Sequence, residues 1–449
     1  MSESGTVIDI HVLNQSEEPC CLGDKARMPL EILKRTIRSR PGAITFKPKL
    51  LSRRFKDFAS SLAGQGGPAP LSPPSPSPSE PRLQILPWHA AMESGQPLPR
   101  VLSVQSHVVH GYVGNKCAVF PLQILGLEVD PIYSVQFSNH TGYPTFKGSV
   151  FDGEQLRALV SGLEANGLLS HTHLLTGYIG SLSLLQAIAD LCSQLKKHSP
   201  SLTYVCDPVL GDEGRLYVAR ELVEAYANSI VPLASVLVPN QFEAELLTAG
   251  TPITSLNDAL AACEMLMDRG PHTVIITSMA LPGDPDGIML VAATRLPQQP
   301  DGRLHGATRL KMRIDRIKAY FTGTGDLFAA LLLAWMHHHP GDLATAVEKA
   351  VGGLQAVLAD TVRHCGPAPL AAERTAEVCA LRELRLIPCQ GKLQDPPIRY
   401  RCEVATSDVE AGPAAGQGEE HEGVPRGPDV PVAMNAVDTC TVTASRPEA

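Results

Sequence analysis

The segment best equipped for chemistry is Thr322-Gly323-Thr324-Gly325-Asp326, which leads straight into the apolar run Leu327-Phe328-Ala329-Ala330-Leu331-Leu332-Leu333-Ala334-Trp335. Such a run reads as a buried helix entered through a glycine turn. Glycines let a backbone approach a ligand closely and turn its N–H groups toward it. A helix N-terminus adds roughly half a positive charge, which suits a phosphate. Asp326 would face a phosphoryl group there and could take the proton from an attacking hydroxyl. An Asp at this place is also an ordinary helix N-cap. A Gly-x-Gly-Asp string arises by chance in about one chain of this length in seven, given glycine near 7%. The segment therefore needs support from elsewhere in the chain.

That support comes from the elements around it. Short β-like runs recur at Val101-Leu102-Ser103-Val104, from Leu202 to Cys206, at Ser235-Val236-Leu237-Val238 and at Thr273-Val274-Ile275-Ile276. Between them lie helical periods such as Leu182, Leu185, Ile188, Leu191 and Leu195. Alternating strands and helices predict an α/β domain with a largely parallel sheet, whose ligands bind beyond the carboxyl ends of the strands. Three strands deliver a polar residue there: Asp207, Asn240 and Thr277. Asn240 and Glu243 also have the spacing of a helix capping box, so a structural role is open for both. His337-His338-His339 cannot share one metal ion, because consecutive helical residues point about 100° apart. The expectation there is a cationic cluster at a helix C-terminus.

Composition sets the outer bounds. The chain has 449 residues, a net charge of −8 and an ordinary hydrophobic share of 44%. The net charge argues against nucleic acid as a partner. The longest apolar run, Leu327 to Met336, falls far short of the roughly 20 residues a membrane span needs. Residues 1–20 carry acidic groups and no Lys or Arg, unlike a signal or transit peptide. Eleven cysteines without framework spacing read as reduced thiols, which implies a cytosolic location. Residues 1–99 contain a basic run from Lys34 to Lys56 and a Gly/Pro/Ser-rich stretch from Gln65 to Pro81, and are expected to be an extension without a core. Residues 406–449, acidic and rich in Gly, Ala and Pro, are expected to be a second. The catalytic domain is expected over 100–405.

Within that span the chain resembles the pyridoxal kinase family of the ribokinase-like superfamily. The resemblance rests on Leu102-Ser103-Val104-Gln105-Ser106-His107-Val108, Gly111-Tyr112-Val113-Gly114-Asn115 and the stretch from Ser134 to Tyr143. It continues through Leu175-Thr176-Gly177-Tyr178, Cys206-Asp207-Pro208-Val209-Leu210-Gly211-Asp212, Pro239-Asn240-Gln241-Phe242-Glu243-Ala244-Glu245 and the glycine turn. It implies a mostly parallel sheet flanked by helices on both faces, and ATP-dependent phosphorylation of the hydroxymethyl group of pyridoxal, pyridoxine and pyridoxamine. Asp326 then matches the catalytic base, with Gly323, Thr324 and Gly325 stabilising the transferring phosphoryl group. Ser106, Thr141 and Tyr178 match residues that hold the pyridine ring. Asp207 and Asp212 match acidic groups near the triphosphate and Mg²⁺, and Asn240 and Glu243 lie on the same nucleotide side. Thr277 and Ser278 match a strand end that contacts ATP and a monovalent cation, K⁺ or Na⁺. A homodimer is the expected assembly.

The chain also departs from the family. Only Glu213-Gly214-Arg215-Leu216 separate Asp212 from Tyr217, fewer residues than animal enzymes carry in this loop. Val238 stands where those enzymes usually have Thr, and Lys318 where an acidic residue is common. The other readings open to the sequence are a non-catalytic vitamer-binding protein, a hydroxymethylpyrimidine kinase, and an interaction protein working through its basic run.

Overall fold

The structure is a computed structural model that describes residues 98–280, 283–296, 306–367 and 375–406. Almost all of both expected extensions, including the basic run, lies outside the described residues. The elements run in the order β1 (Arg100–Val108), α1 (Asn115–Ile124), β2 (Glu128–Phe137), β3 (Gly148–Val150), α2 (Gly153–Ala165), β4 (His173–Thr176), α3 (Leu182–His198) and β5 (Thr203–Cys206). The hairpin β6 (Gly211–Asp212) and β7 (Arg215–Leu216) follows, then α4 (Arg220–Ala225), β8 (Val236–Leu237), α5 (Gln241–Leu247), α6 (Leu256–Met267) and β9 (Thr273–Met279). The chain continues through β10 (Gly287–Arg295), β11 (Ala307–Asp315), α7 (Thr324–His338), α8 (Leu343–Cys365), α9 (Ala376–Leu381), α10 (Gln390–Gln394) and β12 (Glu403–Val404).

One large sheet carries the strands in the order β12-β11-β10-β9-β8-β5-β4-β1-β2-β3. The run from β2 to β9 is parallel throughout, and antiparallel strands close both edges. The expected α/β architecture with a mostly parallel sheet is therefore present. Pro131 sits inside β2 opposite Ser103 of β1, where β3 does not reach, so its missing N–H costs no ladder bond.

Alternation along the central strands sends residues to two separate cores. Leu102, Leu174, Tyr204, Leu237 and Val274 face the helices α2 to α6, while Val101, Leu175, Val205, Val236 and Ile275 face α1, α7 and α8. Every residue from Leu327 to Trp335 is buried, which is why α7 is apolar all round instead of on one stripe. The chain leaves β1 toward β2 on one side and later returns to β4 on the other. This topological switch opens a crevice at the carboxyl ends of β1 and β4.

The cationic reading of the histidine triplet does not hold. Burial holds His337 below the usual imidazole range and pushes His338 down to about 4, while the His338 ring lies 2.8 Å from the carbonyl of Leu125. Burial and the nearby Lys349 lower His339 as well. All three rings are thus held below the usual imidazole range at the end of α7, His337 exposed and His338 and His339 half-buried.

The short loop after Asp212 is a two-residue hairpin turn in which Glu213 and Gly214 both adopt positive φ, 47° and 77°. That is the backbone of a type I′ turn, which favours Asn-Gly over Glu-Gly. Glu213→Asn should raise stability by about 0.5–1 kcal/mol, because Asn tolerates the left-handed region that Glu resists. Chemical denaturation of the two proteins measures this, and equal or lower stability for the variant would contradict the strained turn.

Candidate active site

Asp326 is not an N-cap. The cap of α7 is Gly323, in the left-handed region at φ 87°, and it makes no side-chain capping bond. Only glycine fits there, since a side chain would collide with the carbonyl oxygen of Tyr112. Asp326 sits in the first turn of the helix, and its Oδ2 accepts the backbone N–H of Gly114 at 2.8 Å. Gly114 likewise has positive φ and presses on Ser106, leaving no room for a side chain between β1 and α1. Burial raises the Asp326 carboxyl above its ordinary value, with the Gly114 donor opposing part of the rise. A carboxylate shifted upward is better matched to taking a proton near neutral pH.

Further segments approach this aspartate and the turn that precedes it. A methyl group on Gly177, just after β4, would lie 3.4 Å from Asp326 Oδ1 and 2.7 Å from Gln105 Oε1. Tyr178 follows Gly177, half-buried, and the two are anchored by Ser134 Oγ donating to the Tyr178 carbonyl and by Tyr226 donating to the Gly177 carbonyl. Thr141 is exposed on the loop after β2, and a methyl on its neighbour Gly142 would lie 3.5 Å from Thr322 Oγ1. Ser106, Thr141 and Tyr178 thus come from three elements to one end of the crevice.

The acidic groups approach from the other side. Asp207, directly after β5, lies against the glycine turn, its Oδ2 3.3 Å from where a methyl on Gly325 would stand. Its carboxylate has no side-chain hydrogen bond among the described residues. Burial, then Glu243 and Asp326, push it well above the ordinary range. Glu243 is buried and works as a strut. It accepts the N–H groups of Leu210 and Asn240 at 2.9 Å and of Gly211 at 3.4 Å, and so shapes the 207–212 loop. Burial drives its carboxyl up against those donors. The expected capping box is present, with Asn240 accepting from Glu243 N–H at 2.8 Å and donating to the Gly211 carbonyl at 2.7 Å. Asp212 accepts from Glu213 N–H at 2.9 Å, and burial raises it although Arg316 nearby acts the other way.

Thr277 and Ser278 are half-buried on β9, which lies three strands from β4, so they do not join the Ser106 end of the crevice. Two of the departures prove to be occupied. Val238 is 3% exposed and packs in the core with Val236 and Ile275, and Lys318 pairs with Asp286 at 2.7 Å.

The sequence reading missed Glu383, which follows α9. Its Oε2 accepts the N–H of Tyr112 at 2.8 Å, and its Oε1 accepts the Tyr143 hydroxyl at 3.0 Å and lies 3.4 Å from His140 Nε2. No local pattern around it announces this role, since its partners lie some 240 to 270 residues away in sequence. The role of Gly114 as donor to Asp326 was equally invisible, although the Gly111 to Asn115 segment stood out.

Comparison with known proteins matches residues 158–367 to the phosphomethylpyrimidine kinase family model. The chain is 51% identical over 307 residues to a pyridoxal kinase of Arabidopsis thaliana, covering 68% of this chain and 94% of the relative. It is 46% identical over 305 residues to the pyridoxal kinase of Homo sapiens, covering 67% and 96%. Among solved structures, Leishmania donovani pyridoxal kinase in complex with ADP and pyridoxine superimposes with a TM-score of 0.61 at 36% identity, over 68% of this chain and 99% of that one.

The crowded carboxylates give a stability prediction. A carboxyl whose folded-state pKa is raised binds its proton more tightly in the folded than in the unfolded chain. Stability is therefore lost as pH rises from the ordinary carboxylate range through the folded value. Asp207→Asn should raise the melting temperature by about 2 °C or more near pH 8, with the gain shrinking toward about pH 5. A gain of equal size at both pH values, or a loss at the higher one, would contradict the charge crowding.

Proposed function

Since the chain belongs to the pyridoxal kinase family, we infer that it transfers the γ-phosphoryl group of ATP to the hydroxymethyl oxygen of pyridoxal, pyridoxine and pyridoxamine. The observation that carries this reading is Asp326 in the first turn of α7, at the topological switch, with its carboxylate oriented by Gly114. From there it takes the proton of the attacking hydroxymethyl group. The N–H groups of Gly323, Thr324 and Gly325 face the transferring phosphoryl group, where fixed donors need no reorganisation as charge develops. Ser106, Thr141 and Tyr178 hold the vitamer ring on the β1–β4 side. The nucleotide lies along the carboxyl ends of β5, β8 and β9, beside Asp207, Asn240, Thr277 and Ser278, with Glu243 shaping the loop beneath it.

Mg²⁺ fits the acidic side. Asp207 is a buried carboxylate that meets no donor among the described residues, and Asp212 lies on the same short loop. Among the described residues no group of three or more ligands converges. This suits an ion held by one or two carboxylates together with phosphates and water. Such an ion neutralises charge on the transferring group. A monovalent cation, K⁺ or Na⁺, is assigned to the strand end around Thr277. The core position of Val238 is consistent with a cation site that makes no use of that side chain.

Among the described residues no helix is long and apolar enough to cross a membrane. We place the enzyme in the cytosol, a reading supported by eight cysteines that form no disulfide among the described residues. A homodimer is supported by exposed Tyr133, Phe146 and Val150 along the β2–β3 edge.

The test is phosphoryl transfer by the full chain to pyridoxal and to hydroxymethylpyrimidine, followed for both acceptors by release of ADP and for pyridoxal also by the absorbance of pyridoxal 5′-phosphate. ATP-dependent product from pyridoxal, at a clearly higher kcat/KM than from the pyrimidine, is expected. Preference for the pyrimidine would favour the activity named by the matching family model, and no product from either would overturn the kinase reading.

A further inference from the structure

We propose that Glu383 is a positioning residue that locks the vitamer-binding loop to the glycine turn, so that ring and catalytic base are held in one frame. This rests on the pyridoxal kinase reading of the site. Glu383 touches two neighbouring segments at once, which approach each other elsewhere through the His110 N–H to Ser138 carbonyl bond and the His110 and Tyr143 rings. One is the loop bearing Thr141, which it grips on both sides through His140 Nε2 at 3.4 Å and the Tyr143 hydroxyl at 3.0 Å. The other is the Gly111–Gly114 turn, which it holds by accepting the N–H of Tyr112 at 2.8 Å. The carbonyl of that same Tyr112 lies against Gly323, and Gly114 two residues on donates to Asp326. A single carboxylate thus links the ring contacts to the base through one or two peptide units.

The surroundings are built to keep this carboxylate in place. Its side chain is 12% exposed, and Gly111, at φ 88°, leaves room where any side chain would collide with it. The His140 and Tyr143 rings pack at 4.7 Å, so the two grips on the Thr141 loop reinforce each other. The sulfur of Cys379 in α9 lies 3.3 Å from the Gly142 carbonyl, a second tie from the same region of the chain. Although burial disfavours its charge, the donors from His140, Tyr112 and Tyr143 hold the Glu383 carboxyl below its ordinary value. It therefore stays ionised and acts as an acceptor for all of them. A carboxylate serving three donors from two loops controls relative placement, and a misplacement of about 1 Å can cost about a hundredfold in rate.

The experiment compares wild type, Glu383→Ala, Glu383→Gln and Tyr143→Phe in the full chain, varying pyridoxal and ATP separately and recording melting curves. For Glu383→Ala, kcat/KM for pyridoxal should fall about a hundredfold while KM for ATP changes by no more than about twofold. Glu383→Gln should recover part of the loss, because its amide oxygen can still accept from Tyr112. Tyr143→Phe, which removes one hydroxyl from the surface of the clamp, should show a smaller loss of the same kind at an unchanged melting temperature. If Tyr143→Phe is folded and kinetically wild type, the clamp on the Thr141 loop has no catalytic role and the proposal fails. Equal losses toward pyridoxal and ATP in Glu383→Gln would also overturn it, leaving a residue that only supports the fold. A wild-type enzyme unable to phosphorylate pyridoxal would instead overturn the functional reading on which the proposal stands.

Discussion

A backbone N–H of Gly114 donated to Asp326 joins the two halves of the site. For that bond to form, α7 must begin at the tip of the β1–α1 connection, and this requires Gly323 in the left-handed region against the Tyr112 carbonyl. Gly114 must in turn lie flat on Ser106. Neither contact leaves space for a Cβ, so the geometry depends on backbone packing against backbone. The apolar length of α7 then fixes the aspartate rigidly, because nine consecutive buried residues leave the helix no freedom to slide.

That rigidity has an electrostatic cost. Asp326, Asp207 and Glu243 stand close enough to raise one another or to be raised by burial, and only Glu243 has several backbone donors to offset it. Such crowding weakens the empty protein at neutral pH and favours whatever brings positive charge. A divalent cation bound with the proposed nucleotide would do so, beside the loop from Asp207 to Asp212 that the Glu243 strut holds in shape. Strain at a functional site, kept in place by the surrounding fold, follows a general pattern.

Much of this was legible in the sequence, for identifiable reasons. The central strands are short apolar runs ending in Asp207, Asn240 and Thr277, and the parallel sheet buries such strands on both faces. The α3 periodicity from Leu185 to Leu195 survives intact, with only Leu182 at the helix start exposed. Strands next to the sheet edges were overlooked: β2 contains Pro131, and β11 alternates charged and apolar residues from Arg309 to Ile314, a pattern of one covered face. In the histidine triplet residue type suggested charge, whereas the surroundings hold all three rings below the usual imidazole range. Glu383 could not have been read at all. Its role is created by contacts between distant segments, and no spacing encodes them.

The role of Asp326 as the base is tested most directly by the turnover and pyridoxal affinity of Asp326→Asn. The amide keeps the shape and can still accept from Gly114, but it cannot take a proton. The expected result is pyridoxal binding within about twofold of wild type and turnover reduced by at least about a hundredfold, the low end of general base catalysis. Turnover close to wild type would show that the proton leaves by another route and that Asp326 serves only to orient the start of α7.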